Sequence, residues 1–291
     1  MKYTYYPGCS LRGTGRAYEE SLLAVFRALD IELEELDDWN CCGATTYMSY
    51  DELKSYALAA RNLALAKKAE HDLMAPCAAC YLVLNKTQHY VEDYPWIGQI
   101  VSNALVTIGL PDSIKVKVRH PLDILLNDVG LDAIKKRVTR PLNGLKVAPY
   151  YGCQIVRPYA VFDNQRNPTS MDRLLEACGA KPTYYPVKTN CCGGSQKGTL
   201  PEVGLDLIRH LLAEARRNGA EVISTVCPLC QFNLEVFQDQ AAANSHKFGM
   251  PVLYFTQLLA VAFGLPLREA GFQRSFINIK PVLAEKEIAY V

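Results

Sequence analysis

The chain has 291 residues, 49% of them hydrophobic and 21% charged, with a formal charge of +1. A chain of this length can bury a large core, which points to two domains or one duplicated domain and excludes a disordered polymer. Its mixed charges form no basic stripe, which sets nucleic-acid binding aside. No apolar run reaches the roughly 18–20 residues of a membrane span, and MKYTYYPGCS leads straight into a cysteine motif, so the expected compartment is the cytoplasm.

In chain order, KYTYY at 2–6 reads as a short strand that delivers the chain through Pro7 and Gly8 to Cys9. Ala17, Leu22, Val25, Phe26 and Leu29 then recur with helical period, predicting a helix over 16–29. IELEEL at 31–36 alternates as a half-buried strand does and leads to the doublet Cys41-Cys42-Gly43. Asp51 opens a helix, rich in Ala, Leu and Lys, that runs to about residue 70. HDLMAP is a strand ending at Cys77, with Cys80 in the first turn of the next helix; IKVKVRH at 114–120 is a further strand, followed by an apolar helix over 121–129.

The second half repeats this order: LKVAPYYGC matches KYTYYPGC, PTYYPVKTNCCGG matches IELEELDDWNCCG, EVISTVCPLC matches HDLMAPCAAC, and PVLYFTQLLAVAF matches VKVRHPLDILL. The offset is 144 residues for the leading cysteine and 150 for the later ones, which an internal duplication explains. Alternating strands and helices predict an α/β fold of two tandem, pseudo-twofold related, Rossmann-like units with mostly parallel sheets. The turn residues at 139–144 place the boundary there, giving domains 1–140 and 141–291, the second with a cysteine-free tail from Pro266.

Ten of eleven cysteines obey one grammar, C-x31-C-C-x34-C-x2-C in the first half and C-x37-C-C-x34-C-x2-C in the second. They are Cys9, Cys41, Cys42, Cys77 and Cys80, then Cys153, Cys191, Cys192, Cys227 and Cys230. Adjacent cysteines have α-carbons about 3.8 Å apart, below the usual disulfide span, and a cysteine-rich cytosolic chain is expected to use its thiols as ligands. Thiolate-only donors select zinc or iron–sulfur clusters over hard cations. Four thiols suffice for a tetrahedral zinc or a cubane cluster, so either one per half is spare or the cluster has an unusual, thiolate-richer shape. Ten thiolates would take the formal charge from +1 to −9, which bound metal must offset. Each CxxC opens a helix whose N-terminal amides favour the thiolate.

YYPGCS, WNCCGA, Arg119-His120-Pro121, PYYGCQIVRP, NCCGGSQK, CPLCQFNLE and PVLYFTQLL together resemble the CCG-domain family, and within it the catalytic B subunits of heterodisulfide reductases. The resemblance implies an oxidoreductase that acts on sulfur groups within a larger complex, with a noncubane 4Fe-4S cluster on each set of five cysteines. The clusters would reduce a disulfide by supplying one electron each, or form one by accepting one electron each. The partners it implies are a ferredoxin-like iron–sulfur C subunit, a flavoprotein A subunit, and a small disulfide or thiol as substrate. The chain has no dinucleotide fingerprint, so its electrons come from elsewhere. Two alternatives remain: an electron-transfer subunit of a sulfur-oxidising, lipoate-linked or quinone-linked dehydrogenase complex, and a zinc-stapled scaffold, with zinc in at least one half.

Outside the motifs, His120 at a strand end is a candidate to move protons to product thiolates, and Lys188, with Arg12, Arg16, Arg157 and Lys197, a candidate to balance charge or bind an anionic substrate. The competing reading for each is a structural or solvated group. Cys178, before the helix-stop Gly179, is expected to be structural, and His71, His89, His210 and His246 fall into no pattern.

Overall fold

The structure, a computed structural model, describes residues 1–44, 46–242 and 247–290, so His246 lies outside the described residues. It contains two four-stranded sheets in which every pairing is parallel. The first is built from β1 (Lys2–Tyr5), β2 (Glu32–Glu35), β3 (Leu73–Met74) and β4 (Val118–Arg119) in the order β2-β1-β3-β4. The second uses β5 (Lys146–Tyr150), β6 (Lys181–Pro182), β7 (Val222–Thr225) and β8 (Val252–Tyr254) in the order β6-β5-β7-β8. The duplicated sequence thus gives a duplicated topology. In each sheet the chain goes outward to one side of the first strand and returns on the other. That leaves a switch point beyond the carboxyl ends of β1 and β3, and again of β5 and β7.

Local chemistry accounts for the helices around the first sheet. Asp51 caps Glu52–Lys67 by accepting from the Lys54 amide at 3.3 Å, and Tyr56, Ala59, Ala60 and Leu63 form its buried face. Two strands are shorter than the sequence predicts. The expected strand at 114–120 pairs only over Val118–Arg119, and β2 is an edge strand whose Leu33 is only part-buried. The helix Pro95–Thr107, opened by a proline at its start, is absent from the sequence reading; it buries Ile97, Val101 and Leu105.

The compact units do not follow a division at 140/141. One comprises Met1–Arg12 with Asp30–Pro121, the other Gly13–Leu29 with Leu122–Val291. Side chains on the helix Arg16–Ala28 explain its membership of the second unit. Tyr18 stacks on Tyr254 with centroids 4.4 Å apart, Ser21 Oγ lies 2.6 Å from Thr256 Oγ1, and Glu20 accepts from Arg274 at 2.7 Å. The amides of Thr139 and Arg140, at the expected boundary, both donate to the Ala262 carbonyl at 2.9 Å, which ties that turn to the helix Phe255–Ala262. Every residue of this helix is buried.

Candidate metal centres

The chain leaves β1 through Tyr6, whose side chain is fully buried and whose hydroxyl donates to the Asn40 carbonyl at 2.8 Å. This ties the leading loop to the residue before the first doublet. The second unit repeats the tie, Tyr150 donating to the Asn190 carbonyl at 2.7 Å. Gly8 and Gly152, each before a leading cysteine, adopt φ of +67° and +69°, where side chains are disfavoured. A Cβ at Gly8 would sit 3.1 Å from Cys80 Sγ, and one at Gly152 would sit 3.3 Å from Cys230 Sγ. The missing side chains therefore leave room beside the sulfurs.

Successive side chains of a strand point to opposite faces, so each doublet needs an irregular turn, which Gly43 and Gly193 supply at φ of +81° and +90°. Cys42 Sγ then lies 3.2 Å from Cys80 Sγ, and Cys41 Sγ lies 3.9 Å from Cys9 Sγ. In the second unit Cys192 Sγ is 3.4 Å from Cys230 Sγ. Cys77 and Cys227 stand immediately before the helices Ala78–Asp93 and Pro228–Val236, which puts each CxxC at a helix N-terminus, in line with the sequence expectation.

The thiols touch one another in the same order in both units. Cys41 is held down to about 2, first by hydrogen bonding from Cys42 and then from Cys9, with the Gly43 amide assisting. Cys191 is held down to about 2, first by Cys153 and then by Cys192, with the Gly193 amide and the Arg157 charge assisting. Their donors respond in the opposite sense: Cys9 and Cys153 are pushed up, first by Cys41 and Cys191 respectively. Cys80 is pushed up by Cys42, then Cys77, then burial, and Cys230 by Cys192, then Cys227, then burial. Pairwise contacts thus link the five thiols of each unit in series, with Cys42, Cys77 and Cys80 buried in the first and Cys192, Cys227 and Cys230 in the second. None of the eleven cysteines is tied up in a disulfide. Among the described residues no group of three or more His, Cys, Asp and Glu side chains is arranged to hold a metal ion.

The other sequence candidates occupy supporting positions. His120 is fully buried at the end of β4; its Nε2 lies 2.8 Å from the carbonyl of Pro76, the residue before Cys77. Lys188 is also buried, with Nζ donating to the Pro168 carbonyl at 2.6 Å and to Asp172 at 3.3 Å. The Lys188 carbonyl accepts from the Tyr151 and Gly152 amides, so the residue braces the loop that presents Cys153. Arg12 pairs with Glu35, Arg157 donates to the Thr189 carbonyl, and Lys197 Nζ lies 4.5 Å from the centre of the Phe237 ring. Arg16 begins the helix Arg16–Ala28 in the second unit. Cys178 is fully buried, and burial pushes its thiol up to about 12.

Two features escape the sequence reading. Tyr6 and Tyr150 read as strand formers, whereas their hydroxyls organise the pockets. Asn233, three residues after Cys230, donates to the Gly194 carbonyl at 2.9 Å, the Cys192 carbonyl at 3.2 Å and Cys192 Sγ at 3.6 Å. Only alignment of the two halves exposes it, because Val83 stands at the matching position.

Comparison with known proteins agrees with this duplication. The family model described as the cysteine-rich CCG domain matches residues 3–85 and 147–235. A protein of Archaeoglobus profundus described as like the B subunit of heterodisulfide reductase is 34% identical, covering 93% of this chain and 94% of that one. The B subunit of a ferredoxin/F420H2-dependent CoB-CoM heterodisulfide reductase of Methanosarcina acetivorans is 30% identical over 98% and 96%. A protein of Wolinella succinogenes, the 8-methylmenaquinol:fumarate reductase membrane anchor subunit, is 29% identical over 95% and 97%. Among solved structures, a hypothetical protein from Helicobacter pylori has the same fold, with a TM-score of 0.76, 13% identity and 95% of this chain covered; this chain spans 52% of that one.

Proposed function

The chain belongs to the cysteine-rich CCG domain family, and from that footing we propose that it is the iron–sulfur redox subunit of a heterodisulfide reductase-like complex in the cytoplasm. Cys9, Cys41, Cys42, Cys77 and Cys80 would hold one noncubane 4Fe-4S cluster, and Cys153, Cys191, Cys192, Cys227 and Cys230 the other. The observation that carries this is the series of contacts that links the five thiols of each unit, beside a glycine whose missing Cβ leaves space at the CxxC sulfur. The donor set fits: soft thiolates alone suit iron and inorganic sulfide, and a fifth thiol exceeds what a single tetrahedral ion takes. Such a group, when bound, supplies electrons one at a time.

The chain's own residues prepare for that role. Tyr6 and Tyr150, both buried, wall the pockets from water and fix the loops. The helix N-termini at Cys77 and Cys227 offset negative charge. His120 meets the carbonyl of the residue before Cys77, and the Lys188 backbone carbonyl holds the amide of the residue before Cys153, so both act as positioning residues. Two units giving one electron each match the reaction, in which an S–S bond takes two electrons and two protons to become two thiols. The electrons come from ferredoxin-like and flavoprotein partners, and the substrate is a small disulfide.

The Wolinella relative favours a second reading, an electron-transfer subunit of a quinol-linked reductase. Among the described residues no helix is long and apolar enough to cross a membrane. Anaerobic analysis of purified protein tests the cluster assignment: about eight irons with matching sulfide per chain are expected, and zinc alone overturns it. Adding a thiol to oxidised protein should then produce a new paramagnetic signal; turnover with quinol but with no disulfide selects the second reading.

A further inference from the structure

The two pockets share their cysteines and their hydroxyl ties but differ in what else reaches the sulfurs. In the second unit the Asn233 side chain is 2% exposed, and its amide nitrogen faces two carbonyls, of Gly194 at 2.9 Å and Cys192 at 3.2 Å. Two acceptors on one side fix which end of the amide is nitrogen. The same NH2 group lies 3.6 Å from Cys192 Sγ, so the proton it gives the Cys192 carbonyl is shared with that sulfur. The Arg157 guanidinium donates to the carbonyl of Thr189, two residues before Cys191, which holds its positive charge beside the doublet. By the offsets of the repeat, Val83 stands in the first half of the sequence where Asn233 stands in the second, and Gly13 where Arg157 stands. Valine and glycine side chains have neither a proton to donate nor a charge. A second pair of matched positions cancels: Lys188 is paired with Asp172, and its counterpart Asp38 with Arg61.

A proton donated to a thiolate, or a cation beside it, stabilises the more negative, reduced form of a cluster and so raises its potential. Building on the cluster assignment above, we infer that the two centres are unequal: Asn233 and Arg157 make the second unit's centre the first to be reduced, and Val83 leaves the first unit's centre at lower potential. An external reductant then delivers its first electron to the second unit and its next to the first. Asn233 is thus a positioning residue for the Cys192–Gly194 turn and also sets the redox order.

The test is a redox titration of the full, iron-loaded chain followed by electron paramagnetic resonance. Two separate one-electron waves are expected, and the Cys41→Ser/Cys42→Ser variant identifies which belongs to the second unit. Asn233→Val should lower that wave and leave the other in place, Arg157→Gly should lower it by less, and Val83→Asn should raise the wave of the first unit. Coincident waves in the wild type, or a second-unit wave that stays put in Asn233→Val and Arg157→Gly with full iron and sulfide, overturn the inference while leaving the cluster assignment intact. Wild-type protein without iron and sulfide overturns the cluster assignment itself.

Discussion

The two units reach the same arrangement of sulfurs from different surroundings. Cys9 lies within a helical turn, Gly8–Leu11, that the longer helix Arg16–Ala28 follows; after Cys153 no helix forms until Ser170. β3 has two residues and β7 has four, and matched side chains differ in kind around the doublets, as WNCCGA against TNCCGG shows. Yet Cys42–Cys80 and Cys192–Cys230 come within 3.2 and 3.4 Å, and Tyr6 and Tyr150 make equivalent bonds at 2.8 and 2.7 Å. The pocket is therefore specified by a few local devices: strand ends, positive-φ glycines, one buried hydroxyl and a helix N-terminus. Residues that tune it, such as Asn233, sit on the same frame and vary without disturbing it.

The largest effect expected from this comparison is loss of a whole centre. Cys191→Ser/Cys192→Ser should remove about half of the bound iron and sulfide and leave the other centre's signal unchanged, and Cys41→Ser/Cys42→Ser should do the reverse. If either pair empties both pockets, the units do not assemble independently.

A smaller effect should divide the units by pH. Glu235 is 3% exposed, and burial pushes its carboxyl up to about 7, although it accepts from the Ile277 amide at 3.2 Å and so pins the tail. The matching residue in the first unit is the neutral Asn85, which donates to the Tyr81 carbonyl at 2.9 Å. A carboxyl raised on folding contributes stability that is complete below its unfolded value, about 4.3, and is lost as pH climbs through its folded value. Stability should therefore fall by up to about 4 kcal/mol between pH ~4.3 and pH ~8 in the wild type relative to Glu235→Gln. Parallel denaturant melts at pH ~5 and pH ~8 measure this; equal pH dependence in the two proteins would remove Glu235 as its source.

The smallest effect separates backbone strain from crowding at the sulfurs. Alanine at Gly144, where φ is +67° and nothing lies within 4 Å, should cost only the left-handed backbone penalty of about 1 kcal/mol. Gly8→Ala adds the 3.1 Å approach to Cys80 Sγ and should cost about 2 kcal/mol, with Gly152→Ala between them because its approach is 3.3 Å. Urea denaturation together with iron content reads all three, and equal losses throughout would mean that space beside the sulfurs is not limiting.

Much of this molecule was legible in the sequence because it is written at short range. The repeat, the ten cysteines, β1, the helix opened by Asp51 and the placement of each CxxC before a helix all rest on spacing and on residue types that act within a few positions of themselves. The edge character of β2 and the brevity of β4 were not legible, since pairing depends on which neighbours remain to bond. Nor was the membership of Gly13–Leu29: its helical period shows an apolar face, but the partners that cover it, Tyr254 and Thr256, lie more than 230 residues away. The same holds for the burial of His120 and Lys188 and for their carbonyl partners, Pro76 and Pro168, which their residue types do not reveal. Residue type and spacing alone determined that the chain carries two matching sets of candidate ligands. Tertiary structure decided which sulfurs touch and which polar side chains reach them, because a hydrogen bond such as that from Asn233 to Cys192, across 41 residues, exists only once the intervening chain has closed around it.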